Sequence, residues 1–168
     1  GTHVLLKALA LLKRKGVKFT ALLIGKTGPK TYRQYLERMI ETLNLKKYIK
    51  MLGFINSTDL LYVYNAADAT AVPSYSEGGP LVTPESLACG TPVIATDVGG
   101  NAEYLELVGL NNLLLKTKFY DFSSSYSQKI YDVFRETDSI RNKILGNRDK
   151  ILSWEQVAKK YIDTIEHE

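Results

Sequence analysis

Cysteine is almost absent. Cys89 is the only one in 168 residues, so no disulfide closes within the chain and a reducing, cytoplasmic setting is expected. Histidine is nearly as scarce: His3 and His167 stand far apart, neither at the spacing of a metal-ligand pair, and no metal is expected. No apolar run approaches the ~18–20 residues of a membrane span. The opening Gly1-Thr2-His3-Val4-Leu5-Leu6 has neither the basic leader nor the cleavage site of a secretory signal. Repeats and low-complexity linkers are missing too. The formal net charge of +4 is too small for the footprint of a dedicated nucleic-acid binder. There is no Gly-x-Gly-x-x-Gly between a strand and a helix, nor an acid about 20 residues beyond one, which argues against a dinucleotide dehydrogenase.

What is present is ordinary in amount and regular in order. With 45% hydrophobic and 24% charged residues, the chain reads as one domain over 1–168 with a sizeable core. Residues 2–15 put Leu5, Leu6, Ala8, Leu9 and Leu12 on one helical face, closed by Gly16. A buried strand over 18–24 ends in Gly25. A helix follows to about 44, with Tyr32, Tyr35, Leu36, Met39, Ile40 and Leu43 at core spacing. Then come a strand over 48–52, a helix over 57–66 capped by Ser57, and a strand over 69–73. After the segment treated below, a strand over 92–96, a short helix over 101–106 and a strand over 112–116 precede a tail of two or three helices, the last closing the chain over 151–168. Short connections between alternating helices and apolar strands predict an α/β fold: a doubly wound parallel sheet covered by helices on both faces. Such domains open with a strand, and this chain opens with a helix, so a first strand is expected upstream of Gly1.

Ser76-Glu77-Gly78-Gly79-Pro80-Leu81-Val82-Thr83-Pro84-Glu85 occupies a strand end, where open α/β sheets bind ligands. Pro84 is tolerated only in a helix's first turn, so the helix here begins no earlier than about Leu81. Free amides of Leu81, Val82 and Thr83 at the positive end of that helix suit an anion. Gly78 and Gly79 allow close approach of a ligand to the backbone. Glu77 and Glu85 flank this stretch, and carboxylates accept well from paired hydroxyls. A diphosphate between two sugars, a nucleotide-sugar, accounts for both features. A solvated loop acid and a dipole-favouring helix acid account for the glutamates equally well from charge placement alone.

The motifs around this segment decide between these readings. Leu52-Gly53-Phe54-Ile55, Ala66-Ala67-Asp68, Val72-Pro73-Ser74, Glu77 followed by Glu85, and Cys89-Gly90-Thr91-Pro92-Val93-Ile94-Ala95 occur in order. Ile24-Gly25-Lys26-Thr27-Gly28-Pro29 and Ser153-Trp154-Glu155-Gln156-Val157-Ala158 stand before and after them. In this the chain resembles, over nearly its whole length, the retaining glycosyltransferases of family 4, and specifically the Rossmann-like, donor-binding half of their GT-B architecture. It departs from the family's Glu-Gly-Phe-Gly-Leu, having Glu77-Gly78-Gly79-Pro80-Leu81, and Pro80 removes an amide. The family's Arg and Lys, which hold the donor diphosphate, correspond to positions upstream of Gly1, as does the acceptor-binding N-terminal domain.

The resemblance implies a hexosyltransferase that moves a sugar from a UDP- or GDP-sugar to a sugar or lipid-linked acceptor with retention and without a metal, in polysaccharide or glycoconjugate biosynthesis. Glu77 is the candidate catalytic residue, meeting donor-sugar hydroxyls near the reacting carbon. Gly78, Gly79, Pro80, Leu81 and Val82 would line the sugar and diphosphate, and Glu85 would accept from the ribose. Ile55 would meet the base through its backbone, with Asn56 beside it, and Gly25 would keep the pocket floor open. The chain by itself is expected to be inactive. A nucleotide-binding module without catalysis and a GT-B nucleotide-sugar epimerase are the alternatives. Cys89 reads as a buried structural thiol. Lys46, Lys47 and Lys50 read as a solvated cluster, with peripheral contact to the inner face of a membrane left open.

Overall fold

Helices and strands alternate as the sequence predicts, and the differences lie in how the strands assemble. The structure is a computed structural model that describes residues 1–26, 28–116 and 121–166; Thr27 of the Gly25–Pro29 turn and His167 lie outside them. In chain order the elements are α1 (Thr2–Arg14), β1 (Ala21–Ile24), α2 (Lys30–Thr42), β2 (Ile49–Gly53), α3 (Ser57–Ala66), β3 (Thr70–Val72), α4 (Val82–Ala88), β4 (Val93–Thr96), α5 (Asn101–Leu107), β5 (Leu114–Leu115), α6 (Ser123–Leu145) and α7 (Trp154–Glu166). A 3-10 turn at Asn111–Leu113 takes the front of the strand expected over 112–116.

Every strand pairing is parallel, but the strands form two ladders, β1-β2 and β3-β4-β5, where one sheet was expected. The strand expected over 18–24 pairs only from Ala21, opposite Ile49. Burial differs accordingly. β4, with strands on both sides, is buried at all four residues. The β1-β2 ladder is not covered on both faces: Leu22 is 39% and Leu52 46% exposed.

One core joins both ladders to the helices. α1 buries Val4, Leu5, Leu6, Ala8, Leu9, Ala10 and Leu12, a wider arc than one face of an amphipathic helix. It stops at Gly16, whose φ of +77° allows Val17 N–H to reach back to Leu12 O at 3.3 Å and Gly16 N–H to Lys13 O at 2.9 Å. α6 lies along α1, and its fully buried Tyr126 donates its hydroxyl to Ile94 O of β4 at 2.5 Å. Helical geometry in α6 is interrupted at Glu136 (φ −124°, ψ 17°). α7 opens with a reciprocal cap, Ser153 N–H to Gln156 Oε1 at 2.7 Å and Gln156 N–H to Ser153 Oγ at 3.3 Å.

Two local expectations change. Asn56, not Ser57, caps α3: its Oδ1 accepts from Asp59 N–H at 2.8 Å, which places Ser57 inside the first turn. Tyr35 is 46% exposed because α2 buries only Leu36 and Ile40, a narrower stripe than its apolar spacing suggests.

Candidate functional site

The carboxyl ends of β3 and β4 and the starts of α4 and α5 converge on the Glu77 loop. α4 begins at Val82 with Pro84 in its first turn, as proline's missing N–H requires. Its first helical bond is Glu85 N–H to Leu81 O at 3.1 Å, so the amides before it have no acceptor inside the helix. Glu77 is half-buried, and its Oε1 accepts from Ser74 Oγ at 2.5 Å.

A buried polar chain fixes that loop. Thr96, at the end of β4, donates its hydroxyl to Ser74 O at 2.5 Å. Asn101, at the start of α5, donates Nδ2 to Thr96 O at 3.1 Å and accepts from Thr83 Oγ1 at 2.6 Å. Thr83, Thr96 and Asn101 are fully buried. Buried polar groups that are all satisfied rigidify what they join, here the two helix starts and the two strand ends. The sequence reading passed over these three residues because isolated Thr and Asn carry no spacing signal. Gly99 was also missed, although the Gly99-Gly100 pair after a strand is a turn signal. Gly99 has φ +55°, and a Cβ there would lie 2.7 Å from Glu77 O.

Gly78 and Gly79 behave differently. A Cβ at either would meet nothing within 4 Å. Neither is among the positive-φ glycines. Protein packing and backbone geometry therefore place no demand for glycine at these two exposed positions. Pro80 is buried and turned inward, with its Cδ 3.8 Å from where a Gly100 Cβ would stand; Leu81 and Val82 are exposed.

Glu85 faces another element. Its Oε2 accepts from Tyr64 Oη of α3 at 3.1 Å. Burial, then the Glu85 carboxylate, pushes the Tyr64 phenol upward, so it stays a proton donor at neutral pH. Tyr64 is held in turn, its carbonyl accepting from Thr91 Oγ1 at 2.5 Å. Cys89 is half-buried rather than buried, and desolvation raises its thiol, so it has no activated thiolate. The two glutamates thus have separate partners, Glu77 with Ser74 beyond the end of β3 and Glu85 with Tyr64 of α3.

Gly25 and Gly53 close β1 and β2 at the same end, with φ of +111° and +70°, and Gly25 N–H donates to Gly53 O at 2.8 Å. No atom lies within 4 Å of a Cβ built on Gly25, so the space above it is open. Ile55 is half-buried, while the Asn56 side chain is committed to the α3 cap. At the rim, His3 of α1 stacks on Tyr75 with ring centres 5.8 Å apart, and its Nδ1 lies 3.3 Å from Tyr32 Oη. Burial, then the positive charges of the N-terminus and Lys7, lowers the His3 pKa. Among the described residues, no cluster of three or more His, Cys, Asp or Glu side chains is placed to hold a metal ion. No helix among them is long and apolar enough to cross a membrane.

Comparison with known proteins gives this geometry a family. Residues 1–131 match the family described as Glycosyl transferases group 1. A D-inositol 3-phosphate glycosyltransferase of Corynebacterium glutamicum is 41% identical over 103 residues, covering 60% of this chain and 25% of that protein. A glycosyltransferase of Methanocaldococcus jannaschii is 27% identical over 164 residues, 97% of this chain and 40% of that one. Among solved structures, Anabaena HepE in complex with UDP and glucose superposes with a TM-score of 0.81 at 26% identity, over 99% of this chain and 44% of HepE. HepE in complex with UDP-glucose gives 0.79 at 25%, over 100% and 45%. The pneumococcal O-GlcNAc transferase GtfA shares the fold, with a TM-score of 0.78 at 22% identity over 98% of this chain and 32% of its own. The chain therefore spans between a quarter and under half of these relatives' lengths.

Proposed function

The chain belongs to the group 1 glycosyl transferases of GT-B architecture, and on that premise we propose that it is the donor-binding half of a retaining, family 4 hexosyltransferase. Its donor is a nucleotide-sugar, with a UDP-sugar first in line because the HepE structures hold UDP and UDP-glucose. The observation that carries this reading is the Glu77–Glu85 segment. Two carboxylates with separate partners, Ser74 and Tyr64, flank a stretch whose Gly78 and Gly79 are open and have no packing or backbone reason to be glycine.

In this reading Glu77 is catalytic, held by Ser74 where it meets donor-sugar hydroxyls beside the reacting carbon. Backbone from Gly78 to Val82 runs along the sugar and diphosphate, and the charge that develops on the leaving diphosphate is met by fixed dipoles. Glu85 takes the ribose hydroxyls while Tyr64 holds its other side. The Ile55 backbone meets the base over the open floor at Gly25. Asn56 contributes only by capping the helix next to Ile55. The acceptor binds mainly to a separate domain, and the rest of the diphosphate's positive partners lie outside this chain.

The test is an NMR titration of the chain against UDP-glucose, a GDP-sugar and NADH, with Glu85→Ala as control. Shifts at Gly25, Ile55 and Gly78 through Glu85 with a nucleotide-sugar, lost in the variant and absent with NADH, support the reading. Equal shifts in the variant refute the role of Glu85. Binding without sugar transfer by a polypeptide that also carries the acceptor domain would make the chain a nucleotide-binding module instead.

A further inference from the structure

A buried phenol and an exposed carboxylate share one hydrogen bond where α3 meets α4. Tyr64 is 6% exposed, and its Oη stands 3.1 Å from Oε2 of Glu85, which is exposed in the first turn of α4. A surface glutamate ordinarily moves among several rotamers, and ordering such a side chain costs conformational entropy. For Glu85 that ordering is done within the fold, before any ligand arrives. A carboxylate offers about four acceptor positions. Tyr64 takes one of them on Oε2, and Oε1 has no partner among the described residues.

Tyr64 is tied down in its turn. Its carbonyl accepts from Thr91 Oγ1 at 2.5 Å, and Thr91 is fully buried just ahead of β4. Thr91 N–H donates to Ser86 O at 3.0 Å, and Ser86 Oγ donates to Thr70 Oγ1, at the first residue of β3, at 2.8 Å. Ser86 directly follows Glu85 in α4. The helix that carries Glu85 and the tyrosine that holds its side chain are therefore bound to one buried group of hydroxyls and carbonyls. A fully satisfied group of this kind is rigid, and it makes Glu85 a fixed acceptor rather than a solvated one. In a purely structural pair, Glu85 would serve only to satisfy the buried phenol. The two roles part on what happens to a ligand that Glu85 touches.

We propose that Tyr64 is a positioning residue: it holds the Glu85 carboxylate where both the 2′- and 3′-hydroxyls of the donor's ribose find an acceptor, and so makes the site select ribonucleotide-sugars over their 2′-deoxy counterparts. Thr91 stands behind it as the anchor of its backbone. The inference rests on the assignment of Glu85 to the ribose and adds the residue on which that selectivity depends. The cause is preorganisation, since a carboxylate already held in place loses less freedom when the ribose binds. A ligand without one hydroxyl leaves an acceptor unmet, and a site built to bond that hydroxyl rejects the analogue lacking it. A mobile glutamate turns away and compensates, whereas a fixed one does not.

Titrating UDP-glucose and its 2′-deoxyuridine counterpart against the wild-type chain, Tyr64→Phe, Glu85→Ala and the double variant tests this. Wild type should bind the ribonucleotide tighter by about 10- to 100-fold, the range of one hydrogen bond to a charged group. Tyr64→Phe keeps the ring and the backbone bond from Thr91. It should bring the ratio below about fivefold, chiefly by weakening UDP-glucose. In the Glu85→Ala background the same substitution should change nothing further, a coupling that the double-mutant cycle measures. If Glu85→Ala keeps the wild-type preference, the ribose assignment and the positioning role fall together. If Glu85→Ala loses the preference and Tyr64→Phe keeps it, the ribose assignment stands and the positioning role alone is overturned; a merely structural Tyr64 gives this result, with a lowered thermal midpoint and an unmoved ratio. A ratio that rises in Tyr64→Phe also overturns it, since the phenol would then only compete with the ribose for the carboxylate. So does an equal weakening of UDP-glucose with Glu85 already removed. A chain that binds neither nucleotide in any form overturns the donor reading and this role with it.

Discussion

At Gly99 a single methyl group would come within 2.7 Å of the Glu77 carbonyl oxygen, on a backbone with φ of +55°. At Gly78 the same methyl group would meet nothing. The two substitutions therefore separate folding from binding. Gly99→Ala should lower unfolding free energy by about 2 kcal/mol, from left-handed strain plus the displaced loop. Gly78→Ala should stay within about 0.5 kcal/mol of wild type, as open surface positions do, yet weaken donor binding. A denaturation series with a parallel donor titration measures both, and a Gly78→Ala chain that binds UDP-glucose normally would remove the close-approach argument. The Lys7–Asp121 pair, 2.7 Å apart and half-exposed, holds the Asp121 pKa at about 2, chiefly through the hydrogen bond from Lys7. A depressed carboxyl pKa contributes stability above its ordinary value of 3.8 and loses it as pH falls toward about 2. The advantage of wild type over Asp121→Asn should thus be present at pH 6, under about 1 kcal/mol because solvent screens the pair, and should shrink between pH 4 and 2. An advantage that grows in that window would contradict the pairing.

Elements hold the site through buried polar links more than through charge. The Thr83–Asn101–Thr96–Ser74 chain ties the starts of α4 and α5 to the ends of β3 and β4. Asn101→Ala leaves Thr83 Oγ1 without its partner in a fully buried place, while Thr96 O keeps the bond from Val98 N–H, and costs about 1–3 kcal/mol. Because the same chain positions Ser74, donor affinity should fall with stability. Asn101→Asp still accepts from Thr83 Oγ1 but cannot donate to Thr96 O and places a carboxylate in a fully buried position, so it should restore neither stability nor donor affinity, whereas a purely packing role would tolerate this near-isosteric change. α6 is fastened to β4 by the Tyr126 hydroxyl at Ile94 O. Tyr126→Phe should cost about 1 kcal/mol and leave donor binding unchanged, since α6 contributes no side chain to the Glu77 loop's hydrogen bonds.

For the molecule as a whole, ligand linkage gives a direct readout. A chain that binds UDP-glucose only when folded gains about 2.7 kcal/mol at a hundredfold excess over Kd, visible as a raised thermal midpoint. Glu85→Ala should abolish that rise, and it should also lower the unliganded midpoint by the equivalent of about 1 kcal/mol, because the buried Tyr64 hydroxyl loses its acceptor. A midpoint that rises equally in the variant would detach Glu85 from the donor. The split of the strands into two ladders belongs to this scale too: it leaves Leu22 and Leu52 half-exposed although their sequence pattern is that of buried strands.

Local chemistry was legible in order. Apolar periodicity placed most elements to within a few residues, Pro84 located the start of α4 through its missing N–H, and Gly16 ended α1 as a left-handed cap. The Glu77–Glu85 segment and its flanking motifs identified the family, because each motif is contiguous and needs no partner from elsewhere. The sequence alone determined those features, since they follow from neighbours along the chain. Tertiary structure decided the rest, since it depends on neighbours in space. Thr83, Thr96 and Asn101 become a network only when two helix starts meet two strand ends. Glu85 acquires Tyr64, 21 residues away, only when α3 packs on α4. Gly99 becomes obligatory only when the Glu77 loop folds against it. Whether an apolar strand is buried on both faces was likewise decided by which strands pair, and no periodicity in the strand itself encodes its partner.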